Sequence, residues 1–163
     1  MISVSESNKQ TVRRFVDAVW NHGRLELIDE LVAADYLGRL SGLPAGVVGP
    51  EGMRRLVSSR RRAHPGLYIK IDDQIAEEDR VVTRWQAWSR PREARDGAGA
   101  AGARPCCQGV SIVRLLAGKQ VDSHTEYTDL DPDPDQRSDP PKTRAHHARS
   151  RSPADLPEPS QAP

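Results

Sequence analysis

The sequence predicts an α+β fold, with helices first and an antiparallel set of strands after them. Three observations carry that expectation. Apolar residues recur at helical spacing up to about residue 64, alternate with period two from Leu67 onward, and nearly vanish after Leu130. Of thirteen prolines, eight lie beyond Asp131, and Leu156 is the one large aliphatic residue in 131–163. Such a segment cannot bury enough apolar surface to offset the entropy of ordering it. Residues 131–163 are therefore expected to be a disordered, Pro-rich tail, and residues 1–130 a single folded domain.

The elements follow in chain order. Ser5 to Asn8 offers N-cap chemistry, and Val12, Phe15, Val16, Val19 and Trp20 share one face of a first helix that Gly23 stops. Leu25, Leu27, Ile28, Leu31 and Val32 give a second, shorter helix, and Asp35 to Leu40 a short strand. Ser41 to Pro50 holds Gly42, Pro44, Gly46 and Gly49 and reads as a loop. Pro50-Glu51 opens a third helix with Met53, Leu56 and Val57 inward, and His64-Pro65 closes it. Leu67, Ile69 and Ile71 begin a strand; Glu77 to Asp79 is a turn, and Arg80 to Ser89 a second strand. Pro91 to Pro105, rich in Gly and Ala, reads as a long hairpin loop. Cys106 to Leu116, a turn at Ala117-Gly118 and Gln120 to Thr128 complete the meander.

Composition excludes several functions. Lys and Arg number 24 against 23 Asp and Glu, so no basic excess points to nucleic acid as a partner. No apolar run is long enough for a membrane span, and the polar N-terminus carries no secretory signal, so a cytoplasmic protein is expected. Cys106 and Cys107 are adjacent, which suits neither a disulfide framework nor a CxxC metal knuckle; strand alternation would send them to opposite faces. Arg54, Arg55 and the run Arg60-Arg61-Arg62 read as a solvated basic helix face.

The order and spacing of several segments carry a resemblance. These are Asn8-Lys9-Gln10-Thr11-Val12-Arg13-Arg14-Phe15, Val19-Trp20-Asn21-His22-Gly23, Leu27-Ile28-Asp29-Glu30-Leu31, Ala34-Asp35-Tyr36, Gly49-Pro50-Glu51-Gly52-Met53 and His64-Pro65-Gly66-Leu67. The strands add Ile75 to Trp85, Gly109 to Arg114 and Gly118-Lys119. Over about residues 8–129 the chain resembles the SnoaL-like polyketide cyclase (ester cyclase) family of the nuclear-transport-factor-2-like superfamily. The resemblance implies a cone-shaped fold: a curved antiparallel sheet wrapped around about three N-terminal helices, with a deep, mostly apolar central pocket. It also implies proton-transfer chemistry of the cyclase, isomerase or lyase type on a polyketide-like or other apolar carbonyl compound, with no metal and no organic cofactor, in a protein that pairs as a homodimer. The alternative is a non-catalytic small-molecule-binding or accessory protein of the same fold.

The chain departs from the family pattern where acids and bases usually stand. Gly38-Arg39 occupies the place of an Asp-His pair. Thr125, seven residues after the turn glycine Gly118, occupies the place of a last-strand acid. The last strand nonetheless holds two ionisable groups two residues apart, His124 and Glu126, a workable acid/base pair if both face the pocket. In the family register Ser123, Thr125 and Tyr127 face inward instead; a slip by one residue would bring His124 and Glu126 in. Candidate substrate-binding residues are Trp20, Tyr36, Arg39, Trp85, Thr125 and Tyr127, with Arg39 suited to an anionic oxygen and Trp88 placed on the opposite face from Trp85.

Overall fold

In a computed structural model, residues 2–90 and 104–130 are described. The tail expected at 131–163 and nearly all of the loop expected at Pro91 to Pro105 lie outside the described residues. The described chain is α+β. Helix α1 spans Val4–Phe15 and continues through a wider π-helical segment, Val16–Asn21. A 3-10 turn at Leu25–Leu27 leads into the single turn α2, Ile28–Leu31. Strands β1 (Val32–Leu40) and β2 (Leu43–Val48) form a hairpin, and α3 covers Gly49–Ala63. Four strands follow: β3 (Tyr68–Glu77), β4 (Arg80–Ser89), β5 (Arg104–Leu116) and β6 (Lys119–Asp129).

The six strands form one curved, open sheet in the order β2-β1-β6-β5-β4-β3. The sheet is mixed, not purely antiparallel as expected: β1 and β6 run parallel, pairing Gly38 with Ser123 and Leu40 with Thr125. Sequence periodicity gives strand directions only across tight turns. The β1–β6 pair closes over most of the domain, and nothing local specifies its sense. The expected loop at Ser41 to Pro50 is largely strand β2. Its glycines and Pro44 read as turn chemistry, but β2 is the sheet edge, where a residue without an N–H is tolerated. The second helix is also shorter than its apolar spacing suggests, because Val32 already pairs with Gln120 as strand.

Helix α1 begins at Ser3, whose hydroxyl accepts from the Glu6 amide at 3.1 Å, two residues before the segment that offered cap chemistry in the sequence. The long helix is fixed to the sheet near both ends. Asn8 Nδ2 donates to the Glu78 carbonyl at 3.0 Å, and the Asn21 carboxamide both donates to Ile69 O and accepts from Ile69 N, at 3.0 and 2.7 Å. Its buried face, with Phe15 and Val19, meets Ile28, Leu31, Val32, Val47, Met53 and Val57. A smaller cluster joins Val12 to Val81, Val113 and Leu115. Fully buried side chains such as Val19, Ile28 and Val57 each stabilise the fold by about 1.5–3 kcal/mol. Among the described residues no helix is long and apolar enough to cross a membrane.

Candidate functional site

The helices cover the concave face of the sheet without filling it. An apolar cavity of about 160 Å³ remains between α1, α3 and strands β1, β3, β4, β5 and β6. Along β6, alternation sends Ser123, Thr125, Tyr127 and Asp129 to the cavity side. Burial grades along the same strand: Gln120 and Ser123 are buried, Thr125 and Tyr127 half-buried, Asp129 exposed. The cavity is therefore closed near Gln120, Thr83 and Val113 and opens near Tyr127, Asp129 and Arg60.

Of the residues singled out in the sequence, Trp20, Tyr36, Trp85, Thr125 and Tyr127 line this cavity. Arg39, His124 and Glu126 do not. His124 and Glu126 do meet, Nε2 to Oε1 at 2.9 Å, but with 49% and 66% of their side chains exposed, on the outer face of the sheet. There His124 sits between Arg39 and Ile112 in the strand register, and Glu126 pairs with Val110. β6 thus keeps the register that faces Ser123, Thr125 and Tyr127 inward, and the slip that would bring the His-Glu pair inside does not occur. Arg39 shares that outer face, its guanidinium 3.9 Å from the Asp122 carboxylate.

The polar groups of the cavity wall are hydroxyls, joined in short chains. Trp85 Nε1 donates to Ser111 Oγ at 3.0 Å, and Ser111 Oγ bonds Thr125 Oγ1 at 2.9 Å. Tyr36 OH bonds Ser123 Oγ at 2.6 Å. Burial pushes the Tyr36 phenol above its ordinary value, the Ser123 hydrogen bond opposing and the Asp122 charge adding, so the group stays neutral through the physiological range. Tyr36 also fills the room a side chain at position 38 would need: a Cβ on Gly38 would lie 2.5 Å from the Tyr36 hydroxyl. The room beside Gly38 is thus filled by a phenol from two residues earlier.

Four features of the cavity were not legible in the sequence. Gln120, 3% exposed, lines its closed end, and its Nε2 is buried without a hydrogen-bond partner. A buried amide donor left unmade costs about 1–3 kcal/mol, so it is a standing place for an acceptor oxygen. Arg60 turns out of its basic run into the cavity, its Nη2 donating to Tyr127 OH at 2.9 Å and its Cζ lying 5.5 Å from the Tyr127 ring centre. Its neighbour Arg61 instead donates to the carbonyls of Trp20 and Asn21, capping the first helix. The Arg run is thus not simply a solvated face.

Cys106 and Cys107, expected on opposite faces, both line the cavity. The register explains it: Ala87 pairs with Cys107 and Trp88 with Pro105, so Cys106 is the extra residue of a bulge. Burial chiefly, then Cys106 beside it and the Asp129 charge, push the Cys107 thiol up to about 12, against a lowering by Arg60. It is a neutral lining group near pH 7 and no nucleophile. Asp129 belongs to the cluster of ionisable residues that the last strand shows in sequence with Asp122, His124 and Glu126, but its face was not assigned, because it falls at the strand end, where alternation is hardest to extend.

A one-ended apolar cavity between N-terminal helices and a curved mixed sheet defines a cone-shaped protein of the nuclear-transport-factor-2-like class. Residues 10–132 match the family model of the SnoaL-like polyketide cyclases, and the chain belongs to that family. A candidate polyketide cyclase from Acidithiobacillus ferrooxidans superposes with a TM-score of 0.64 at 21% identity, over 77% of this chain and 91% of that one. A candidate SnoaL-like polyketide cyclase from Jannaschia sp. CCS1 gives 0.64 at 16% identity, over 78% and 89%. IdmH, a candidate polyketide cyclase from Streptomyces antibioticus, gives 0.60 at 23%, over 74% and 91%. At such identities the likeness is one of fold. Comparison with functionally curated proteins finds no match.

Proposed function

We propose that the cavity takes up an apolar, polyketide-like carbonyl compound and promotes its cyclisation or isomerisation by cofactor-independent proton transfer. The observation that carries this reading is the unmade Gln120 donor at the closed end of an otherwise apolar cavity: it suits a carbonyl oxygen, and a donor that strengthens its bond as that oxygen becomes an enolate lowers the barrier. The hydroxyl chain from Trp85 to Thr125 offers further donors along the wall. Proton transfer falls to the ionisable groups at the open end, Asp129 as the carboxylate and His64 as the imidazole. The outer-face pair His124 and Glu126 has no part in it.

A second reading, binding without turnover, is favoured by one observation: among the described residues the closed half of the cavity is lined by hydroxyl, amide and apolar groups and carries no carboxylate or imidazole. 2-Tetralone, a fused bicyclic ketone with an acidic methylene, separates the two. Calorimetry reads its binding and proton NMR in D₂O reads exchange at that methylene. Turnover predicts exchange accelerated by the protein, reduced roughly 10²-fold or more by Asp129→Asn and unchanged by His124→Ala and Glu126→Gln. Binding without acceleration supports the second reading, and absence of binding removes both.

The same reading makes the outer face of the sheet the surface for a homodimer. Leu37 and Ile112 there are 40% and 43% exposed, beside Val110. Apolar side chains on one sheet face are stabilised by a second copy. Sedimentation should report a two-chain species, converted to one chain by Ile112→Glu; a monomer in the unaltered protein refutes this part.

A further inference from the structure

We propose that the ligand carries a carboxylate at the end facing the cavity mouth, and that Arg60 is the residue that binds it. The inference rests on the cavity being the ligand site, and it narrows the substrate class from an apolar carbonyl compound to an apolar carbonyl acid.

Arg60 is the permanent cation among the cavity-lining residues. The residue is half-buried and its guanidinium is held in place, with one hydrogen bond to Tyr127 OH at 2.9 Å and the Tyr127 ring beneath it at 5.5 Å. Among the described residues no carboxylate lies within 4 Å of it. By contrast, Arg54 on the same helix pairs with Asp29 and Glu51. A guanidinium presents five N–H donors in a planar fork, and one is accounted for here. A half-buried arginine facing an apolar cavity with most of its donors uncommitted matches a carboxylate bidentately, in a geometry an ester cannot match with equal strength.

The other charged or titratable groups at the mouth set the balance. Asp129 lines the same rim and opposes an incoming anion; its charge and that of Arg60 act on the Cys107 thiol with opposite sign, so both lie near that residue. His64 also lines the rim and, when protonated, adds attraction for an anion. The Cys107 thiol is neutral and adds no charge. An acid therefore binds against Arg60, with the Tyr127 hydroxyl beside it.

The test uses the full chain and two probes that differ in charge and by one methyl group, 2-naphthoate and methyl 2-naphthoate, titrated by calorimetry. The unaltered protein should bind the acid about tenfold or more tightly than the ester, the size expected of a charge-assisted pair. Arg60→Met should reduce that ratio to about one while leaving ester binding within about twofold, and Arg60→Lys should keep part of it. Asp129→Asn should tighten the acid and leave the ester alone. Equal binding of acid and ester by the unaltered protein, or a preference for the acid that survives Arg60→Met, overturns the assignment while leaving the cavity as a binding site. Failure of both probes to bind defeats the cavity reading and this inference with it. Circular dichroism on each variant separates loss of selectivity from loss of fold.

Discussion

Replacing Gln120 with Leu is expected to make the protein more stable and a poorer binder. The side chain is 3% exposed, and its Nε2 finds no partner in the fold. Leu has nearly the same volume and brings no amide to desolvate. Removing the orphan should stabilise the unliganded protein by about 1–3 kcal/mol, raising the thermal midpoint by roughly 2–12 °C. The same change removes the donor assigned to the ligand carbonyl, so affinity for 2-tetralone should fall about tenfold. Thermal melting and calorimetry on one pair of samples read both effects. A residue kept only for packing gives neither; a destabilised variant with unchanged affinity would mean that the amide serves the fold and not the ligand. Stability forgone at a ligand-facing group is the signature of a site retained for function.

The sequence made the elements with one buried face legible and left the edge strand and the long-range strand pairing hidden. Helical spacing located α1 and α3, and alternation located β4 within its observed bounds, because each buries one face and exposes the other. Strand β2 escaped because an edge strand tolerates the Pro and Gly residues that usually mark loops. The parallel β1–β6 pair escaped because it joins an early segment of the domain to its last strand, and only tertiary packing specifies it. Both misses have one cause: local chemistry reports local geometry.

The site divides along the same line. Trp20, Tyr36, Trp85, Thr125 and Tyr127 were readable as inward once strand register was assigned, and they do line the cavity. His124 and Glu126 drew attention by their chemistry, an imidazole beside a carboxylate, yet their parity on β6 puts them outside. Chemistry named the pair and geometry decided its face. Arg60 shows the converse. Within a run of three arginines its sequence reads as solvated helix surface, but successive helical residues point about 100° apart, so one run can send Arg61 to cap a helix and Arg60 into the cavity. Cys106 and Cys107 needed the bulge, which no alternation pattern announces.

Gly38→Ala should be strongly destabilising for so small a change, and Tyr36→Phe should partly rescue it. A Cβ on residue 38 would stand 2.5 Å from the Tyr36 hydroxyl and 3.0 Å from Cε1 and Cζ of the same ring. Tyr36 is 2% exposed and packs with Phe15, Val32 and Met53 in the same core cluster, so the ring can give way only toward the cavity, at the cost of those contacts. Overpacking of this kind costs about 1–3 kcal/mol, and breaking the Tyr36–Ser123 hydrogen bond adds about 1 kcal/mol. In the Tyr36→Phe background the nearest atom is gone and only the two ring-carbon contacts remain. The double variant should therefore be more stable than the sum of the single changes predicts, by about 0.5–2 kcal/mol in a urea-denaturation cycle. Strict additivity would show that Tyr36 is not what excludes a side chain there. The coupling bears directly on chemistry. Larger side chains at 38, Asp included, meet the same hydroxyl, so an acid cannot be placed here by one substitution. Tyr36 and Gly38 have to change together, and until they do, ionisable chemistry in this cavity belongs to its mouth.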